Sequence, residues 1–198
     1  MIEALAQLQA LLALPLWHGA AVFLRVGAMV SVLPAFSERT VPIRVKLVLS
    51  LMFTAVTAPA VAPFLTEAPG LSRLAVLVPS ETVIGLAYGI AIRLFVLALQ
   101  TAGSMAAQAT SLSQILGGAA VEPMPAVGYV LTLAGVALAL LAGLHLQAVR
   151  LIVASYETFP PGRMPDPALI SSWGIARVAE SFALAFILAS PFVIASVL

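Results

Sequence analysis

The chain has 198 residues, 62% of them hydrophobic and 9% charged, with a formal net charge of +1 and a mean hydropathy of +1.13. That apolar share exceeds the roughly 45–50% of soluble domains, so the protein is integral to a membrane, and its near-neutral charge gives no electrostatic basis for binding nucleic acid. Cysteine is absent, which excludes disulfides, thiol catalysis and cysteine-held metals.

The first apolar block, Ala4–Leu33, follows an acidic start and runs on past Pro15, which predicts a retained helix and not a cleaved leader. Four more blocks follow: Val45–Leu65, Leu71–Gln100 continuing through small residues to Leu116, Ala126–Ser155, and Trp173–Leu198. A helix needs about 20 apolar residues to cross a bilayer, and backbone polar groups in lipid must be satisfied within the segment. The pattern therefore predicts an all-α protein of about five long apolar helices, forming one membrane-embedded domain over residues 1–198. Proline and glycine punctuate the breaks, at Pro34 and Pro42, Ala60–Gly70, Gly117–Pro125 and Phe159–Pro167, and links this short imply antiparallel helical hairpins. Orientation stays open. Arg39, Arg44 and Lys46 favour an inside first loop, and Arg163 with Arg177 pull the last loop the same way, yet five simple spans put those loops on opposite sides. Either the charge rule is weak here or some blocks do not cross fully.

Charged residues inside apolar blocks need partners, because an unpaired charge at mid-span costs about 2.5–3.5 kcal/mol on insertion scales. Arg25 lies in the first block, and Glu81 and Arg93 flank the middle of the third. Glu81, Gly85, Gly89 and Arg93 follow one another at i+4 steps along one slowly drifting helical ridge. The GLAYG within it is a GxxxG that lets another backbone approach closely. Structural packing and ion pairing is the plainer reading of this ridge; a proton or ion relay is the alternative.

In GLHLQAVRLIVASYETFPPG, from Gly143 to Gly162, the residues His145, Gln147, Arg150 and Glu157 are candidates for a site. On a helix Arg150 and Glu157 share a face while His145 points away from both, so no catalytic dyad forms, and a lone His is a poor metal ligand. The serines lack a nucleophile-elbow context, and HExxH and P-loop patterns are missing. The sequence therefore does not read as an enzyme, and no cofactor is implied. In SLSQILGGAAVEPMPAVG, Ser111 to Gly128, paired glycines, alanines and two prolines around Glu122 oppose a continuous helix. Irregular backbone at membrane depth persists only when buried in protein or lining a watery cavity. The segment is either an exposed hairpin turn or a flexible apolar loop that narrows a pore.

Taken in order, FLRVGAMVSVLPAFSERTVPIRVKLVLSL, ETVIGLAYGIAIRLFVLALQTAG, SLSQILGG, GLHLQAVRLIVASYETFPPG and SPFVIASVL resemble the FliR family of flagellar biosynthetic proteins and its virulence-type secretion counterparts. The resemblance implies a subunit of the type III export gate in the bacterial inner membrane at the flagellar basal body. It implies FliP-like, FliQ-like and FlhB-like partner subunits and unfolded polypeptides as export substrates, beside membrane lipid. Much nominally transmembrane surface would then pack on other subunits, where Arg25, Glu81 and Arg93 would find partners, with Gly85 and Gly89 as packing positions. The family's loop after the third block closes the channel at rest, which here assigns a plug to Ser113, Gln114, Ile115, Leu116, Gly117 and Gly118. Relatives commonly read LSF followed by an acid and proline, whereas this chain has LSQILGG; Gln114 replaces the aromatic, leaving Ile115 and Leu116 to supply apolar closure. By the same resemblance a further C-terminal helix is expected in the family after the fifth block, and it is expected to be missing here. The alternative is a stand-alone small-solute transporter with a midplane site between broken helices.

Overall fold

The computed structural model describes residues 2–36, 41–65, 71–117 and 126–197, with side chains described over 16–36, 41–65, 74–109 and 128–195. Among these residues six α-helices follow in order: α1 (Ile2–Val32), α2 (Ile43–Val61), α3 (Leu71–Gly117), α4 (Ala126–Leu141), α5 (Leu144–Thr158) and α6 (Pro167–Val197), with a 3-10 turn at Ala62–Phe64. No strand occurs among the described residues, and the protein is all-α as its composition requires.

Among the described residues three helical stretches are long and apolar enough to cross a membrane: Ile43–Phe64, Leu74–Ala109 and Pro167–Ala195. The broken pair α4 and α5 makes a fourth if it counts as one span, while the described side chains of α1, Leu16–Val32, form a shorter apolar stretch. The count is thus slightly below the five expected. The fourth block differs because Gly143 adopts a left-handed backbone with φ 86°. The Ala142 amide donates to the Leu138 carbonyl at 2.8 Å and the Gly143 amide to that of Leu140 at 3.0 Å, closing α4 as glycine-ended helices close. By contrast α3 runs 47 residues without a break, about 70 Å at 1.5 Å per residue, which outruns the roughly 30 Å hydrocarbon core.

The chain divides into two compact units, one of Met1–Ile90 with His145–Ile170, the other of Ala91–Leu144 with Ser171–Leu198. In the first unit α1 packs along α2 and buries Ala21, Val22, Val26, Met29, Val30 and Leu33, a stripe of helical period. The facing helix α2 is inverted relative to a soluble helix: it buries Ser50, Thr54, Thr57 and Val61 and exposes Ile43, Leu47, Leu51, Met52 and Val56. Its hydroxyls satisfy themselves, Ser50 donating to the Lys46 carbonyl, Thr54 to that of Ser50 and Thr57 to that of Phe53. Small, self-satisfied side chains bring helices close while the bulky apolar ones face outward, as packing in lipid favours. Helix α1 stops at Val32 because Pro34 restricts Leu33, and Ala35 takes a left-handed φ of 69° in the turn that follows. Pro42 stands at the N-cap of α2; Arg44 beside it is exposed, and Arg39 lies outside the described residues.

In the second unit α3 and α6 meet through alanines, with Ala98, Ala102, Ala185 and Ala189 buried and Met105, Leu131, Leu184 and Leu188 packed against them. Helix α4 joins through glycine, since a Cβ on Gly103 would overlap the Gly128 backbone and one on Gly135 would overlap Leu99. Helix α6 starts six residues before the expected Trp173 because Asp166 accepts the Ala168 amide at 2.9 Å with Pro167 at the first helical position.

Candidate functional site

The densest polar constellation among the described residues lies in the first unit and is built around Arg25. Its position on α1 falls within the buried stripe, so the guanidinium cannot reach water; Arg25 is 1% exposed and Glu81 on α3 is 0% exposed. Arg25 Nε donates to Glu81 Oε2 at 2.8 Å and Nη2 to Glu81 Oε1 at 3.1 Å, a two-pronged pair that matches the planar fork to the carboxylate. The remaining donors turn to α5 and the turn after it, Nη1 reaching Ser155 Oγ at 2.8 Å and Nη2 the Phe159 carbonyl at 3.0 Å. The Tyr156 ring lies beneath the guanidinium, 3.7 Å from Cζ to centroid, and its hydroxyl donates to Glu81 Oε2 at 3.3 Å. The Gly162 amide completes the shell of Glu81 at 3.4 Å, in a turn where that glycine takes φ 71°. The centre joins α1, α3, α5 and the SYETFPPG turn through one ion pair.

The GxxxG lies one and two turns beyond Glu81 and faces the same neighbour. A Cβ on Gly85 would overlap the Arg25 carbonyl oxygen and approach Ala28, and one on Gly89 would overlap Val32 and approach the Met29 carbonyl. The close backbone approach expected from the motif is made by the chain's own α1. Within this chain Arg25 and Glu81 are each other's partner, because the glycine groove draws α1 against α3 at that level. Arg93 is exposed and belongs to the second unit. Steps of four residues drift about 40° each on a 3.6-residue helix, so three steps carry Arg93 about 120° from the direction of Glu81.

The α5 segment sorts its polar residues differently from the reading of the sequence. His145, Gln147, Arg150 and Glu157 are exposed, while Ser155 and Tyr156, given no role beforehand, are buried with Ala148 and Ile152. Their signal was the spacing 148, 152, 155, 156, which defines the inner face of the helix. Of the expected plug residues, Ser113, Gln114, Ile115, Leu116 and Gly117 form the last turns of α3, and Gly118 lies outside the described residues, as does the rest of the segment to Pro125.

A groove of about 930 Å³ among the described residues lies in the first unit, lined by α1, α2 and the start of α3, with Trp17, Phe23, Leu24, Leu51, Ala55 and Leu77 among its walls. Its lining is almost wholly apolar; Thr54 turns its hydroxyl to its own helix, and the Nε2 of His18 is buried with no hydrogen-bond partner among the described residues. No group of three or more His, Asp or Glu side chains able to hold a metal occurs among the described residues. A guanidinium and carboxylate this fully engaged have the chemistry of a pin between helices, with neither a vacant acid nor a vacant base.

Residues 16–198 match the family described as bacterial export proteins, family 1. The chain is 33% identical over 187 residues to the flagellar biosynthetic protein FliR of Caulobacter vibrioides, covering 93% of this chain and 74% of that protein. It is 32% identical over 145 residues to FliR of Escherichia coli, covering 72% of this chain and 55% of that protein. The chain belongs to the bacterial export proteins of family 1, as a FliR-type member.

Proposed function

We propose that the chain is a subunit of the flagellar protein export gate, helping to form the channel through which unfolded substrates leave the cytoplasm. The observation that carries this reading is the similarity to two flagellar FliR proteins, which in the Caulobacter relative runs over 93% of the chain. The exposed apolar surface supports it: α6 displays Ile175, Phe182, Phe186, Ile187 and Ile194, an outward face that lipid or neighbouring subunits must cover. FliP-like, FliQ-like and FlhB-like subunits are the proposed neighbours, in the inner membrane at the basal body.

The role we assign is steric and involves no bond chemistry. The segment from Ser111 to Pro125 acts as the plug, with Ile115 and Leu116 supplying apolar closure in place of an aromatic, and an entering polypeptide displaces it. Deleting Gly117–Ala120, or replacing Ile115 and Leu116 by alanine, is expected to raise ion leak through the assembled gate. Unchanged leak in a gate that still assembles overturns the plug assignment. Native mass spectrometry of the detergent-extracted chain, expressed with and without FliP-like and FliQ-like subunits, tests the gate reading itself: a defined mixed complex supports it, and a lone subunit indifferent to them refutes it.

A further inference from the structure

Within the first unit the turn that follows α5 cannot close on itself. A four-residue turn commonly joins the carbonyl of its first residue to the amide of its fourth, here Phe159 and Gly162, and between them stand Pro160 and Pro161. Proline in the third position pushes the residue before it out of the helical region that a type I turn needs. Its own fixed negative φ excludes the positive angle of a type II turn. Accordingly, no backbone hydrogen bond joins Phe159 to Gly162 among the described residues.

The buried ion pair answers both groups instead. Arg25 Nη2 donates to the Phe159 carbonyl at 3.0 Å, the Gly162 amide donates to Glu81 Oε1 at 3.4 Å, and the same Nη2 donates to the same Oε1 at 3.1 Å. Carbonyl, guanidinium, carboxylate and amide thus form one continuous run of three contacts, with the cation on the acceptor and the anion on the donor. Helix α3 flanks the run with apolar contacts: the Tyr88 ring stands edge-on to Phe159 at 6.4 Å between centroids, and Leu77 lies 3.7 Å from where a Cβ on Gly162 would stand. We infer that Arg25 and Glu81 close the Phe159–Gly162 turn in place of its own hydrogen bond, which makes the turn a latch that is shut only while α1 lies against α3. Arg25 comes from α1 and Glu81 from α3, so withdrawal of α1 leaves the Phe159 carbonyl without its donor and Glu81 without its cation. Docking of α1 and closure of the turn are one event, and the two charged residues act as positioning residues for the turn as well as a pin between helices. The inference rests on the geometry of the first unit alone and does not depend on the gate reading.

The test follows amide exchange at Gly162 by NMR of the full chain in detergent, labelled with 15N-glycine, the signal being identified by its loss in Gly162→Ala. In the unaltered chain the amide is expected to be protected. Arg25→Met and Glu81→Met are each expected to speed its exchange about ten- to a hundredfold, as loss of a hydrogen bond to a charged group does. The double replacement Arg25→Met with Glu81→Met separates the latch from the pin: its unfolding midpoint is expected to return towards that of the unaltered chain while Gly162 still exchanges fast, because two methionines offer the turn neither donor nor acceptor. Val30→Ala, at a residue of α1 that is 1% exposed, is the matched control. It is expected to lower the midpoint and to leave Gly162 exchange within about threefold of the unaltered chain, since local opening need not follow global stability. Slow exchange regained together with stability in the double variant, or exchange that tracks the midpoint through all four variants, overturns the latch and leaves a packing pin only. Fast exchange of Gly162 in the unaltered chain overturns it as well.

Discussion

At the scale of single residues, Arg25 shows how one charge in an apolar helix dictates its surroundings. Its ion pair is buried on both sides, so removing one partner strands the other without water. Arg25→Met or Glu81→Met alone is expected to cost about 3–5 kcal/mol, whereas the double replacement Arg25→Met with Glu81→Met recovers most of that loss. Unfolding midpoints of the four proteins in one detergent check the cycle; equal losses in the single and double variants would refute the pairing as the cause. Arg25→Lys is expected to behave like a loss, since one ammonium cannot serve Glu81, Ser155 and the Phe159 carbonyl in the planar arrangement. The sequence made legible that Arg25 and Glu81 needed partners. It left open that they pair with each other, 56 positions apart, because a contact between distant segments carries no local signature.

At the scale of elements, glycine decides where helices approach and where they stop. Gly85→Ala is expected to destabilise the first unit by about 1–3 kcal/mol, because the new methyl meets the α1 backbone, which cannot rotate away. Gly174→Ala on α6 serves as the matched control: nothing lies within 4 Å of its added Cβ, so it is expected to be neutral or stabilising by up to about 1 kcal/mol. Thermal scans of the two variants side by side separate packing from propensity. At the other kind of glycine, Gly143→Ala forces a β-carbon into the left-handed region and is expected to cost about 1–2 kcal/mol, read as a lower unfolding midpoint. The apolar blocks were visible in the sequence because hydropathy is local. The break inside the fourth was not, because Gly143 stands in an otherwise apolar run, and only its backbone angle distinguishes a helix end from a tolerated interior glycine.

At the scale of the whole molecule, many large apolar side chains among the described residues are exposed. Within Pro167–Ala195 the most hydrophobic stretch is only 11% buried, against 33% within Leu74–Ala109, so α6 depends more on what surrounds the protein. Phe182→Asp and Phe186→Asp are expected to leave the first unit's Arg25 centre intact and to abolish recovery of the chain in a mixed membrane complex. Co-purification with FliP-like and FliQ-like subunits measures this, and undiminished recovery of the complex would count against α6 as a covered surface. The family was legible because its ordered blocks survive in the sequence from FLRVG to SPFVI; the plug role rests on that resemblance, carried by Ser113–Gly118 at and beyond the end of α3.

Composition pointed to a membrane-integral protein and the length of its apolar blocks to an all-α one, since a helix satisfies its backbone polar groups within the segment in lipid. Charge scarcity alone marked Arg25 and Glu81 as residues that could not stand unpaired. Tertiary structure decided who answers them: the groove at Gly85 and Gly89 admits α1 closely enough to lock Arg25 onto Glu81, and the inner face of α5 adds Ser155 and Tyr156. It also decided that Arg150 and Glu157, equally charged on paper, face outward, because helical periodicity fixes which residues share a face and only packing fixes which face is turned in.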